Sequence, residues 1–148
     1  MKVKLPGLVP VLLLTVSATL QGCLQATAPQ ASVIQLNGSW SYVGVQTSPM
    51  RENLSGTLSI SRESGSSFQG RLDIVAMNSQ TGQSRVMGGL VSGSEQGTNV
   101  IDFDASVEMT PRRHVGQIVA DTISGTWVGS APDGTISSGT FRVEKVSQ

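Results

Sequence analysis

The chain has 148 residues, 38% of them hydrophobic, with ten basic and ten acidic side chains and a formal net charge of zero. That balance leaves no basic field to attract nucleic acid, and one histidine and one cysteine are too few for a zinc site. The length suits one domain behind a leader, and not comfortably two.

The chain opens with Lys2 and Lys4, then runs through Leu8, Val9, Val11, Leu12, Leu13, Leu14 and Val16, with Pro6 and Pro10 in the same stretch. A charged start, an apolar segment and small residues after it have the layout of a secretory signal. The apolar part falls short of the roughly 20 residues a membrane span needs, so it is expected to be removed. Its loss takes Lys2 and Lys4 away and leaves the mature chain slightly acidic.

The lone cysteine follows directly. Leu20-Gln21-Gly22-Cys23 resembles the lipobox of bacterial lipoproteins. The resemblance implies recognition of Leu20, Gln21 and Gly22 by a signal peptidase, cleavage after residue 22, and a diacylglycerol on the Cys23 thiol. Acyl chains, each buried CH₂ worth roughly 0.8 kcal/mol, would then hold the protein on a membrane without a spanning helix. Leu24, where an inner-membrane lipoprotein would carry Asp, resembles outer-membrane cargo, which implies a place in the bacterial cell envelope facing the periplasm or the exterior. The alternative is an ordinary signal cleaved after Val16-Ser17-Ala18, which would leave Cys23 a free thiol in an oxidising compartment. Residues 24–36 carry no charge and little periodicity, so 23–36 reads as a lipidated flexible tether and 37–148 as one domain.

From Asn37 onward no apolar spacing of three and four persists, while Ser, Thr, Val and Gly abound. The expected class is all-β. Turn residues at Pro49–Asn53, Glu63–Ser66, Asn78–Gly82, Gly93–Gly97, Thr110–Arg112, Ala120–Asp121 and Pro132–Gly134 divide the domain. Strands are predicted over 39–46, 54–62, 67–77, 83–92, 99–108, 113–119, 122–130 and 136–146. Eight sequential strands with short connections point to an antiparallel up-and-down meander closing into a small barrel, with a two-layer β-sandwich as the alternative.

An apolar residue, a gap, a glycine, a gap and another apolar residue recur as Leu54-Ser-Gly56-Thr-Leu58, Phe68-Gln-Gly70-Arg-Leu72, Val86-Met-Gly88-Gly-Leu90 and Ile123-Ser-Gly125-Thr-Trp127. Alternation places each such glycine on the face of its apolar neighbours, toward the core. Glycine weakens a strand, so a buried row of them implies sharp bending or close approach of a bulky side chain. Gly38-Ser39-Trp40, opening the first strand, resembles the Gly-x-Trp start of lipocalins and the wider calycin group. That resemblance implies a barrel and a basic residue of the last strand, Arg142 or Lys145, against Trp40.

Candidate sites are few. Trp40, Tyr42, Phe68, Phe103, Trp127 and Phe141, all the aromatics in the chain, fall in predicted strands. Pointing inward together they would either line a pocket for a small apolar ligand or fill the interior. Arg112-Arg113-His114 is the densest positive cluster, suited to an anionic group or a partner's carboxylate if it is more than an exposed loop. Asp102 and Asp104 share a strand face about 7 Å apart, which alternation with Ile101, Phe103 and Ala105 reads as a solvated face. His114 with Asp102 or Asp121 and a serine would make a triad on paper, but no serine lies in a nucleophile elbow. No cofactor is expected. The favoured expectation is a non-enzymatic lipoprotein barrel binding a small molecule, ahead of a structural envelope protein docking on a partner and of a hydrolase.

Overall fold

The computed structural model describes residues 35–147 except 98, 131 and 132. The leader, Leu20, Gln21, Gly22, Cys23 and the tether up to residue 34 lie outside the described residues, as does Pro132 of the last predicted turn. Eight strands follow one another: β1 (Gly38–Ser48), β2 (Glu52–Ser64), β3 (Ser67–Asn78), β4 (Ser84–Gln96), β5 (Val100–Val107), β6 (Thr110–Val119), β7 (Thr122–Ser130) and β8 (Ile136–Lys145). Each pairs antiparallel with the next, and β8 pairs with β1, closing a barrel. The meander is therefore a barrel and not a sandwich.

The turns use the chemistry visible in the sequence. Gly65, Gly82, Gly97 and Gly134 take positive φ at four reversals, and Ala120 does so at the tight β6–β7 turn. The β5–β6 turn is displaced from its predicted place: Glu108 and Met109 carry positive φ, and Thr110, Pro111 and Arg112 already belong to β6. Pro111 is tolerated because it pairs only with Ser106 of β5, while the β7 ladder begins one residue later at Arg112.

Apolar side chains face inward along every strand, including Leu58, Ile60, Leu72, Ile74, Ile101, Ile118, Ile123 and Val143, while Arg71, Asp73, Arg142 and Glu144 face out. This polarity is the reverse of a lipid-embedded barrel. Two causes account for the inward glycines. A Cβ on Gly56 would overlap the backbone of Asp73, and one on Gly125 would lie 2.5 Å from Gly116 Cα, so these positions let neighbouring strands bend close together. Gly93, Gly116 and Gly139 meet neighbouring backbone as well and are in addition covered by rings, with Phe68 Cζ at 2.7 Å, Phe141 Cζ at 3.0 Å and Trp127 Nε1 at 2.8 Å from the position of an added Cβ.

One copy of the glycine pattern is inverted. Val86 and Leu90 are 79% and 70% exposed, and Met87 and Val91 point into the core instead. Both faces of this stretch carry apolar residues, so alternation alone does not choose between them. Pairing of Gly70 with Val91 and Ile74 with Met87 does, because Ile74 faces the core.

The end of the barrel where β1 begins is sealed. Leu36, at the end of the segment read as a tether, is buried, and its carbonyl accepts a 2.8 Å hydrogen bond from Trp40 Nε1. Lys145 places its ammonium 5.3 Å from the Trp40 ring centroid and donates to the Gln35 carbonyl. Of the two basic residues offered for that position Lys145 takes it, whereas Arg142 faces outward and bonds Glu144. The strand register dictates this, since Lys145 lies directly opposite Trp40.

Candidate functional site

The barrel register strings distant residues into one inward row. Phe68 pairs with Gly93, Gly93 with Phe103, Phe103 with His114, His114 with Trp127, Trp127 with Gly139, Gly139 with Gln46 and Gln46 with Glu52. A shorter row above it joins Ala105, Arg112, Gly129 and Ser137. These rows bring the buried polar side chains, Gln46, Glu52, Arg112, His114 and Ser137, toward the end opposite Leu36.

Around His114 the aromatics pack on one another. Its ring stacks on Phe103 with centroids 4.5 Å apart and planes 6° apart, and Phe141 meets it edge-on at 5.1 Å. Tyr42 stacks on Phe141 at 6.1 Å, and Phe68 meets Phe103 edge-on at the same separation. These rings occupy the middle of the barrel, whereas Trp40 belongs to the sealed end. Five of the six predicted pocket aromatics thus adjoin His114, directly or through Phe103, and the sixth stands apart.

His114 is held neutral. Its Nδ1 lies 2.9 Å from the Arg112 carbonyl, which only accepts, so Nδ1 carries the proton and Nε2 is left to accept from Tyr42 Oη at 3.4 Å. Burial pushes its pKa from 6.5 down to about 4, opposed by the hydrogen bond to the Arg112 carbonyl and helped by the nearby Arg112 charge. Burial likewise drives the Tyr42 phenol well above its ordinary value, with Arg112 pulling weakly the other way. No triad forms: Asp102 lies on the outer face bound to Arg113, and Asp121 is exposed at the β6–β7 turn beside the sealed end.

The positive cluster is split by the strand. Arg113 faces out and donates to Asp102 through Nε at 3.0 Å and Nη2 at 2.6 Å, which lowers the Asp102 pKa. Arg112 and His114 point inward, so the three do not make the exposed loop or the single grip their adjacency suggested. Alternation along β6 is the reason. The Asp102–Arg113 pair also accounts for Asp102 as part of a solvated face.

Arg112 is the unusual member, only 2% exposed. Its side chain crosses Gly129, with Cγ 2.7 Å from where a Cβ would stand, and its guanidinium lies 4.8 Å over the Trp127 ring. Nη2 makes a long 3.9 Å contact with Met87 Sδ, while Nε and Nη1 have no hydrogen-bond partner among the described residues. Two neighbours share that condition: Trp127 Nε1 and Ser137 Oγ are also buried and unpaired. Burial pulls the guanidinium pKa down, yet arginine stays charged in proteins.

Gln46 and Glu52 of the longer row also line a cleft of about 360 Å³, together with Pro49, Met50, Arg85, Glu108 and Asp133. Glu52 is 1% exposed and paired with Arg85, whose Nη2 donates to it at 2.9 Å and whose Nη1 donates as well. Three of the lining charges, Arg85, Glu108 and Glu52, act electrostatically on Arg112, which places the guanidinium near this mouth. Sequence reasoning missed Gln46, Glu52, Arg85 and Ser137. Glu52 interrupts the inward phase of β2 where Leu54, Gly56 and Leu58 continue it, and that is the signal that was present.

No protein-family model matches the chain, and no curated protein matches it. Among solved structures, EF1p2_mFAP2b bound to DFHBI is similar with a TM-score of 0.62 at 10% identity, covering 75% of this chain and 94% of that one. A redesigned β-barrel, mFAP1, bound to DFHBI gives 0.57 at 11%, covering 74% and 94%. A further redesigned β-barrel, b11L5F_LGL, gives 0.54 at 13%, covering 76% and 92%. At these identities the likeness is one of fold, and the fold is a closed eight-stranded antiparallel β-barrel.

Proposed function

We propose that this protein is a non-enzymatic binding barrel of the bacterial cell envelope, anchored by lipid on Cys23, that takes a small molecule at its open mouth. The observation that carries the reading is the group of buried, unpaired polar atoms on Arg112, Trp127 and Ser137, beside a cleft of about 360 Å³. Buried polar groups are ordinarily satisfied, and a cluster that is not calls for an external partner. Two similar barrels hold DFHBI, a precedent for a small ligand in this architecture. The aromatics packed around His114 fill the middle of the barrel, which supports a ligand at the mouth over one in a hollow centre.

A second reading has its own observation. Val75, Met77 and Val86 form a short exposed apolar strip on the outer faces of β3 and β4, where Val75 pairs with Val86, and Leu90 lies exposed farther along β4 opposite Arg71. Such a strip suits docking on an envelope protein.

Native mass spectrometry of the protein extracted from its own membranes separates the two. An acylated amino-terminal Cys23 and a retained small molecule are expected. Mature protein starting at Thr19 rejects the anchor, and a co-purified protein in place of a small molecule favours docking.

A further inference from the structure

We propose that the mouth receives the carboxylate of a small organic acid, with Arg112 as counter-ion and Trp127 Nε1 and Ser137 Oγ as hydrogen-bond partners. The inference rests on the reading of the barrel as a small-molecule binder and names the chemistry of its ligand.

The unpaired atoms are biased toward donation. Guanidinium and indole N–H groups only donate, and a serine hydroxyl donates or accepts. What satisfies them is an acceptor with several lone pairs, and a carboxylate offers about four such sites. Charge argues the same way, since a buried cation is costly unless paired. No carboxylate among the described residues bonds Arg112: Glu52 is bound by Arg85, and Asp133 accepts from the Thr135 amide at 2.9 Å. The thioether of Met87 at 3.9 Å is a poor substitute.

Two glycines set how the three groups pack. Arg112, Gly129 and Ser137 are consecutive members of one row, and the absent side chain at Gly129 lets the arginine lie across β7 toward β8. Gly139 lets the indole of Trp127 lie over β8, one alternate position along from Ser137. The stacking of guanidinium on indole fixes the plane of the donors before any ligand arrives.

A monoanion fits better than a phosphate dianion. With Glu52 neutralised by Arg85, Glu108 and Asp133 are the remaining charges of the cleft through which the ligand enters, and both repel added negative charge. Pro49 and Met50 give that cleft an apolar side against which a short carbon chain rests.

The test titrates the full-length, detergent-extracted protein with hexanoate, hexanamide and inorganic phosphate by calorimetry. Hexanoate is expected to bind roughly tenfold tighter than hexanamide, since a carboxylate makes an ion pair with the guanidinium where the amide makes only a hydrogen bond. Arg112→Met should remove that advantage, so that the variant binds hexanoate no tighter than hexanamide. Ser137→Ala, which keeps the arginine and its packing, should weaken hexanoate several-fold and so serves if the methionine variant fails to fold. Equal binding of hexanoate and hexanamide overturns the carboxylate assignment and leaves the binding barrel standing. Phosphate binding tighter than hexanoate overturns it in favour of a dianion. Binding of none of the three, while native mass spectrometry still finds a retained molecule, overturns the carboxylate assignment alone; failure of both measurements overturns both readings.

Discussion

Phe103 and His114 face each other across the β5–β6 ladder as a stacked pair, centroids 4.5 Å and planes 6° apart, among the aromatic side chains that fill the middle of the barrel. An imidazole so placed behaves as an aromatic ring with two fixed hydrogen bonds, and protonating it means placing a charge in the core.

That fixes an acid sensitivity. The folded-state pKa of His114, about 4, lies below the 6.5 of the free side chain, so between those values the unfolded chain binds a proton that the folded one refuses. Stability therefore falls as pH drops from 6.5 toward 4 and the contribution levels off below, for a total of about 3 kcal/mol. Urea unfolding of the wild type and His114→Phe at pH 7 and pH 4.5 checks this. The variant should lose much of the difference between the two conditions, and an identical acid loss in both would refute the assignment.

The two settings of the glycine pattern should respond differently to the same substitution. Gly125→Ala pushes a methyl into the Val115 backbone and Gly116 Cα, neither of which can yield alone, and should cost about 2 kcal/mol or more. Gly88→Ala crowds only the exposed side chains of Asp73 and Arg71, which swing aside, and touches the Leu72 carbonyl at an ordinary 3.4 Å, so it should change stability by no more than about 0.5 kcal/mol. Denaturant midpoints of the two variants provide the comparison.

Glu52 is buried while its partner Arg85 is part-exposed, with 42% of its side chain accessible. Arg85→Met leaves a buried carboxylate without its donors and should cost about 2 kcal/mol. Glu52→Gln keeps the shape and removes the charge that needs pairing, so it should cost less. The reverse order in thermal unfolding would show that the pair is not the main support of this corner.

The sealed end rests on Lys145 over Trp40 and the hydrogen bond from Trp40 to Leu36. Lys145→Met preserves the aliphatic stem and removes the cation, and should lower stability by about 1 kcal/mol. Faster exchange of the Trp40 indole proton, followed by NMR, should accompany the loss. Unchanged exchange would mean that Leu36 alone closes the barrel.

Much of the architecture was legible in the chain because alternation and turn chemistry are local. Leu54, Leu58, Phe68, Leu72 and Trp127 announce their inward phase two residues at a time, and Gly65, Gly82 and Ala120–Asp121 mark where the chain must reverse. The same logic fails at Val86-Met-Gly88-Gly-Leu90, where both phases are apolar and only the ladder to Ile74 chooses. Turn chemistry misleads at Thr110-Pro111-Arg112: these residues belong to β6, and alternation then sends Arg113 to the face opposite Arg112 and His114.

The sequence by itself therefore determined that eight strands would bend around a core and which residues would turn them, since those properties act over a few neighbouring residues. Only closure of β8 on β1 decided that Lys145 meets Trp40 and that Gln46 and Glu52 continue the row through His114 and Trp127. The register of a closed sheet is set by all eight strands together, and so the mouth, with its buried arginine, is a property of the ring and of no single stretch of the chain.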